Sequence, residues 1–154
     1  MAGNFQVKSQ IEGKKINAEL SGAINEDASL EQIPSGFEQY VFDFNNVNLI
    51  NSCGIRDWIG LLDRLGSNVK ITYKRCPQII IEQINMVKGF IRPNTSIENF
   101  YAPYFDPEPD QEIKVLIKTS DIQNGKAPAM KNGKGEPLEF DAIEDQYFFF
   151  LKNK

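Results

Sequence analysis

Tyr40-Val41-Phe42-Asp43-Phe44-Asn45-Asn46-Val47-Asn48-Leu49-Ile50-Asn51-Ser52-Cys53-Gly54-Ile55 is the stretch on which the fold turns. Tyr40 to Phe44 reads as a strand with bulky residues on both faces, as in a central strand covered on two sides. Asn45 to Ile50 then reads as a short connecting segment. Beyond it the period changes: Ile55, Trp58, Ile59, Leu61, Leu62 and Leu65 recur at helical spacings and make one apolar face. Ser52 suits the N-cap of this helix, and Gly54 permits close approach to its first turn. Free N–H groups and the positive end of the helix dipole make a hydroxyl there electrostatically suited to carrying a phosphate. A serine at a helix start is more often a cap and nothing else, so the motif alone leaves both readings open.

Upstream, residues 5–11 and 16–20 alternate around the turn Glu12-Gly13-Lys14-Lys15, the pattern of a hairpin of half-buried strands. Residues 21–27 read as a polar loop, and residues 28–33 as a short helix ended by Pro34-Ser35-Gly36. Downstream, Gly66-Ser67-Asn68 stops the helix and residues 69–73 form a strand. Pro77 then opens a second helix through Ile79, Ile80, Gln83, Ile84 and Val87. Strands alternating with helices predict an α/β domain over residues 1–98, with a mixed sheet because of the initial hairpin.

From Tyr101 the texture shifts to proline and acid, which predicts a small C-terminal α+β lobe over residues 99–154. It contains one clear strand, residues 112–117, and turn-forming Asn124-Gly125 and Asn132-Gly133-Lys134-Gly135. A helix capped by Asp141, with Glu144 three residues on and Ile143, Tyr147 and Leu151 on one face, closes the chain. Phe148-Phe149-Phe150 needs cover, and a lobe this small buries little core alone, so it is expected to dock on the first domain.

Composition narrows the function. The 154 residues carry a net charge of -4, which gives no concentrated basic surface for nucleic acid. The chain starts without a basic, apolar leader and has no run of about 18 apolar residues, so neither export nor a membrane span is expected. Two cysteines, Cys53 and Cys76, do not make a disulfide framework, and the expected location is cytoplasmic. Histidine is absent, which removes Ser-His and Cys-His nucleophile pairs, histidine metal sites and imidazole acid–base chemistry together. Enzymes built on carboxylates or lysine stay open, but the functional groups are sparse and the chain reads as non-enzymatic, without cofactor or metal. Asp106, Glu108 and Asp110 lack the glycine and distal glutamate of a calcium loop and read as a solvated turn. Residues 132–135 lack the Walker spacing. Trp58 reads as core, and Cys53 as small packing rather than a redox site.

The order strand, strand, short helix, strand, helix, strand, helix over residues 5–90 resembles a STAS domain, the fold of anti-sigma-factor antagonists. Ser21-Gly22-Ala23-Ile24-Asn25 resembles the family's Gly-x-hydrophobic-Asp loop. Val41-Phe42-Asp43-Phe44-Asn45-Asn46-Val47 resembles its hydrophobic-Asp-hydrophobic strand, and Ile50-Asn51-Ser52-Cys53-Gly54-Ile55 its Asp-Ser-Ser/Thr-Gly-hydrophobic signature. The resemblance implies a bacterial signalling module that binds a protein: an anti-sigma factor acting as a serine kinase, or another STAS protein. It implies phosphorylation at Ser52 and a partner surface of Gly22, Asn25, Asn51, Ser52, Cys53, Gly54 and Arg56. Arg56 would pair with a phosphate or a partner's carboxylate, or else within the chain. Asn25 and Asn51 stand where the family has aspartate, and Cys53 where it has a second hydroxyl residue. Binding without a switch, as a scaffold in an assembly, and binding of a small ligand or lipid remain the alternatives. The terminal lobe, in residues 100–110 and 131–136, resembles a zinc ribbon without its cysteines, held by Tyr104, Phe140, Tyr147 and Phe150 in place of metal.

Overall fold

Alternation on either side of Gly13 produces an antiparallel hairpin of β1 (Gln6–Glu12) and β2 (Lys15–Ile24), with Glu12 opposite Lys15. Gly13, at φ +63°, takes the first turn position, where a type II′ hairpin turn requires glycine. The computed structural model describes residues 4–152; residues 1–3, where the leader reading begins, and 153–154, at the end of the lobe, lie outside them. β3 (Gln39–Ile50), β4 (Lys70–Lys74) and β5 (Thr95–Ile97) follow β2 in order as parallel neighbours, which makes the sheet mixed.

One face of this sheet carries Ile16, Ala18, Leu20, Tyr40, Phe42, Phe44, Ile71, Tyr73 and Ile97, all buried. Trp58 of helix α1 (Ser52–Leu65) packs on this face, its ring centroid 5.0 Å from that of Phe42 and 5.3 Å from that of Phe44. The Trp58 indole donates to the Tyr73 hydroxyl at 3.0 Å, and that hydroxyl donates to the Phe90 carbonyl at 2.8 Å, so both of these buried polar groups are satisfied. Helix α2 (Gln78–Met86) buries Ile80, Ile81 and Ile84. The opposite face presents Lys15, Asn17, Glu19, Gln39, Val41, Thr72 and Lys74, which are exposed or half-buried.

Residues 45–50 are not a connection: they continue β3, pairing with β2 as far as Ala23–Leu49 and Ile24–Ile50. The two-residue period was present, with Val47 buried between exposed Asn46 and Asn48. Residues 21–24 likewise belong to β2 rather than to a loop, and register shifts around Ser21 and Gly22 let the strands stay paired. The expected helix over residues 28–33 contracts to a 3-10 turn, Leu30–Gln32, without a side-chain cap.

The second sheet is antiparallel, β6 (Asn99–Asp106) lying between β7 (Gln111–Lys118) and β8 (Glu139–Phe140). β6 runs through the start of the segment read from the sequence only as a shift to proline and acid, and Pro103 is its one proline. The Pro103 carbonyl accepts the Asp141 N–H at 2.9 Å, so its missing donor faces that side and the ladder to β7 loses nothing. The bond holds Asp141 at the end of the β6–β8 pairing, and the helix begins only after Ile143, so Asp141 does not cap it. Helix α3 is only Glu144–Tyr147, begins after Ile143 without a side-chain cap, and is followed by a 3-10 turn, Phe149–Leu151. The Glu144 carboxylate accepts the Ala127 N–H at 2.8 Å instead of reaching back to a cap.

Within the lobe, Tyr104–Phe140, Phe140–Tyr147 and Phe100–Phe150 centroids lie 5.5, 6.0 and 5.2 Å apart, and the lobe docks on the first domain where the Tyr101 N–H donates to the Cys76 carbonyl at 2.8 Å and the Asn85 amide to the Tyr147 carbonyl at 2.9 Å. These rings join the first sheet in one continuous hydrophobic cluster. Phe149 is the exposed member of the phenylalanine run.

Candidate protein-binding site

The site forms where β2 and β3 end together. Asn51 donates its N–H to the Ile24 carbonyl at 3.3 Å, and its extended backbone turns the chain into α1. The N-cap is Asn51, not Ser52: its side-chain oxygen accepts the Gly54 N–H at 2.9 Å. The Asn51 amide nitrogen donates to Glu26 at 2.9 Å and ties the α1 start to the turn after β2. That bond favours the ionised carboxylate and, together with a backbone hydrogen bond, holds the exposed Glu26 below the usual carboxylate range.

Ser52 is thereby released from capping. It is the first helical residue and is exposed. Among the described residues the Gly54 and Ile55 N–H groups are taken by Asn51, which leaves those of Ser52 and Cys53 as the free donors of the first turn. Arg56, one turn along the same face, is exposed and makes no ion pair among the described residues. Cys53 and Asp57 are half-buried.

Gly22 and Gly54, expected in the partner surface, are both buried and have backbone roles instead. Gly22 sits in β2 at φ +89°. A Cβ at Gly54 would lie 1.9 Å from the Ile24 carbonyl oxygen, so only glycine lets α1 start against the end of β2. Asn25 is half-buried, and its side chain accepts the Asp27 N–H at 3.0 Å in an Asx turn. The accessible part of the expected surface is therefore Asn25, Asn51, Ser52, Cys53 and Arg56, with Glu26 added by the structure.

Away from this surface, Asp106 is buried and accepts from the Glu108 N–H and the Asn132 amide, each at 3.1 Å, which locks the acidic turn. No group of three or more His, Cys, Asp or Glu residues is placed to hold a metal among the described residues.

Sequence reasoning missed a polar cluster that spans both sheets. Asp43 is buried and receives the Arg75 guanidinium through Nε at 3.0 Å and through Nη2. Arg75 has φ +50°, and its N–H donates to the Asn99 side chain at 2.7 Å. Tyr101 donates to Asn45 at 2.6 Å, and Tyr147 to the Tyr101 carbonyl at 2.6 Å. The signal available in the sequence was Asp43 itself, a charge within an apolar strand. Compared with family models, curated proteins and solved structures, the chain has no match.

Proposed function

We propose that this chain is a non-enzymatic, cytoplasmic regulatory module of the STAS type that binds a protein partner through the start of α1. The observation that carries the reading is the exposed Ser52 hydroxyl, freed from capping by Asn51 and set beside unoccupied first-turn N–H groups with Arg56 one turn away. A phosphate there adds up to about two negative charges to a contact surface, enough to repel an acidic partner and to resist desolvation. The partner chemistry that fits is a serine kinase acting as an anti-sigma factor, or another STAS protein. Support for the STAS type comes from the mixed sheet whose parallel strands β3 and β4 each lead into a helix.

Incubation with native cell extract and ATP, followed by intact mass, tests the switch. A gain of one phosphate that Ser52→Ala abolishes supports it. No gain, or a gain that survives Ser52→Ala, overturns it. Ser52→Asp is then expected to recover less partner in pull-down than wild type.

The second reading, an unswitched scaffold, is favoured by one feature. The Glu26 carboxylate is hydrogen-bonded to the very residue that caps Ser52's helix, which puts a like charge beside a phosphate. Unmodified Ser52 with unchanged partner recovery for Ser52→Asp would establish that reading.

A further inference from the structure

We propose that two copies of this chain associate edge to edge through β1, antiparallel about Gln10, to make one continuous sheet. β1 is the outermost strand of the order β1-β2-β3-β4-β5, so its far edge has no neighbour among the described residues. It is 7 residues long, contains no proline, and pairs with β2 in unbroken register from Gln6–Ser21 to Glu12–Lys15. Proteins usually blunt such an edge with proline, a bulge, brevity or an unmatched lysine; this edge lacks the first three, and its Lys8 shares the strand with an acid, Glu12, that can oppose it in a second copy. Ile11 is 62 % exposed on it.

The tight turn fixes which backbone groups point outward. A two-residue hairpin loop makes Glu12–Lys15 a hydrogen-bonded pair, and alternation then does the same for Gln10–Asn17 and Lys8–Glu19. The N–H and C=O groups of Val7, Ser9 and Ile11 therefore face away from β2, ready for another strand.

Charge selects both the occupant and the register. With Gln10 on the two-fold axis, Lys8 of each copy stands opposite Glu12 of the other. Lys8 already lies beside Glu19, and Glu12 beside Lys15, within its own hairpin. The pairing thus builds a row Glu19–Lys8–Glu12–Lys15 of alternating sign across four strands, twice by symmetry. Between the two rows, Asn17–Gln10–Gln10–Asn17 forms a ladder of amides. The neighbouring registers lack this match: an axis at Ser9 sets Lys8 against Gln10, and an axis at Ile11 sets Lys8 against Lys14. Neither Lys8 nor Glu12 makes an ion pair within the chain among the described residues. Opposite charges directly across strands are favourable and like charges unfavourable, which makes this strand a template for its own copy.

One strand edge buries less than a standard interface of about 1,600 Å², so the dimer is expected to dissociate on the order of micromolar or above. Sedimentation equilibrium of the whole chain over a broad concentration range is the test. Wild type is expected to show a monomer–dimer equilibrium. Lys8→Glu and Glu12→Lys should each weaken self-association about tenfold, since each sets like charges against each other twice. An equimolar mixture of the two variants should regain wild-type association, because the new acid of one then faces the new base of the other. Ser9→Pro removes an outward N–H while leaving the β2 ladder intact, and should abolish the dimer, with circular dichroism reporting an unchanged fold. A chain monomeric throughout, a dimer indifferent to Ser9→Pro, or single variants not rescued by mixing would each overturn the proposal. The outcome is independent of whether Ser52 is modified.

Discussion

Asn51 does with one side chain what an aspartate cannot: its oxygen accepts from Gly54 while its nitrogen donates to Glu26. In the STAS signature that this segment resembles, the position is an acid; here a second carboxylate would face Glu26 without a proton to offer. Asn51→Asp should keep the cap but move the Glu26 titration upward, visible in a carboxyl-edited NMR titration. Glu26 titrates below its ordinary value in the wild type. The stabilisation tied to that shift is therefore present above the ordinary carboxylate range and is lost as pH falls through the lowered value. Asn51→Ala removes the cap itself and should cost about 1 kcal/mol in urea denaturation. Gly54→Ala is more severe, since the new methyl meets the Ile24 carbonyl, a backbone atom that cannot swing aside. A loss of about 3 kcal/mol is expected, and a neutral result would mean that α1 can slide from its seat.

At the scale of elements, what the sequence revealed was whatever depended on local period and turn chemistry. The hairpin around Gly13, the apolar face of α1, the stop at Gly66 and the strand of β7 are all local patterns, and the chain forms them where the patterns lie. What was not legible depended on partners distant in sequence. Residues 45–50 look like a connection until β2 is laid beside them, because exposed asparagines at 46 and 48 mask the buried Val47. β6 shows in the sequence only as a change of texture, because Pro103 and Asp106 say nothing of the β7 ladder that organises it. Asp141 looks like a helix cap because its place beside Pro103, 38 positions earlier, at the end of the β6–β8 pairing, is invisible locally. At the site, the exposed serine was legible while its cap was assigned one residue late, for Asn51 declares itself only through Gly54 and Glu26. The bond between Asp43 in β3 and Arg75 after β4 belongs to the same class. Arg75→Ala would strand a buried carboxylate. With the guanidinium partly open to solvent, the expected cost is about 2 kcal/mol, less than for a fully buried pair. Arg75→Lys, lacking the planar fork, should recover only part of it.

Across the whole molecule, both sheets draw on one hydrophobic cluster that runs from Ile16 to Phe150 and has acidic protons sealed inside it. Burial pushes the Tyr73 phenol well up, although the Trp58 hydrogen bond offsets part of the rise. Burial also raises Tyr147, with Glu82 adding to the effect, and pushes Tyr104 up to about 12. The buried Cys76 thiol is raised for the same reason, and the nearby Asp43 charge adds to it. Each group holds its proton more tightly in the folded chain than in the unfolded one. The stabilisation this represents is complete below the unfolded values, about 8.5 for a thiol and about 10 for a phenol, and is lost as pH rises toward the folded ones. Thermal melts followed by circular dichroism should therefore show a falling midpoint from about pH 9 upward. Phenolate absorbance from these three tyrosines should appear only together with loss of the fold. Because Tyr73 lies in the first sheet and Tyr104 and Tyr147 in the lobe, a shared core requires both regions to melt in one calorimetric transition. Two resolved transitions, or phenolate from Tyr73, Tyr104 or Tyr147 (assigned by single Tyr→Phe substitutions) forming near pH 10 in a chain that keeps its native spectrum, would show that the lobe's aromatic seal is not continuous with the core of the first sheet.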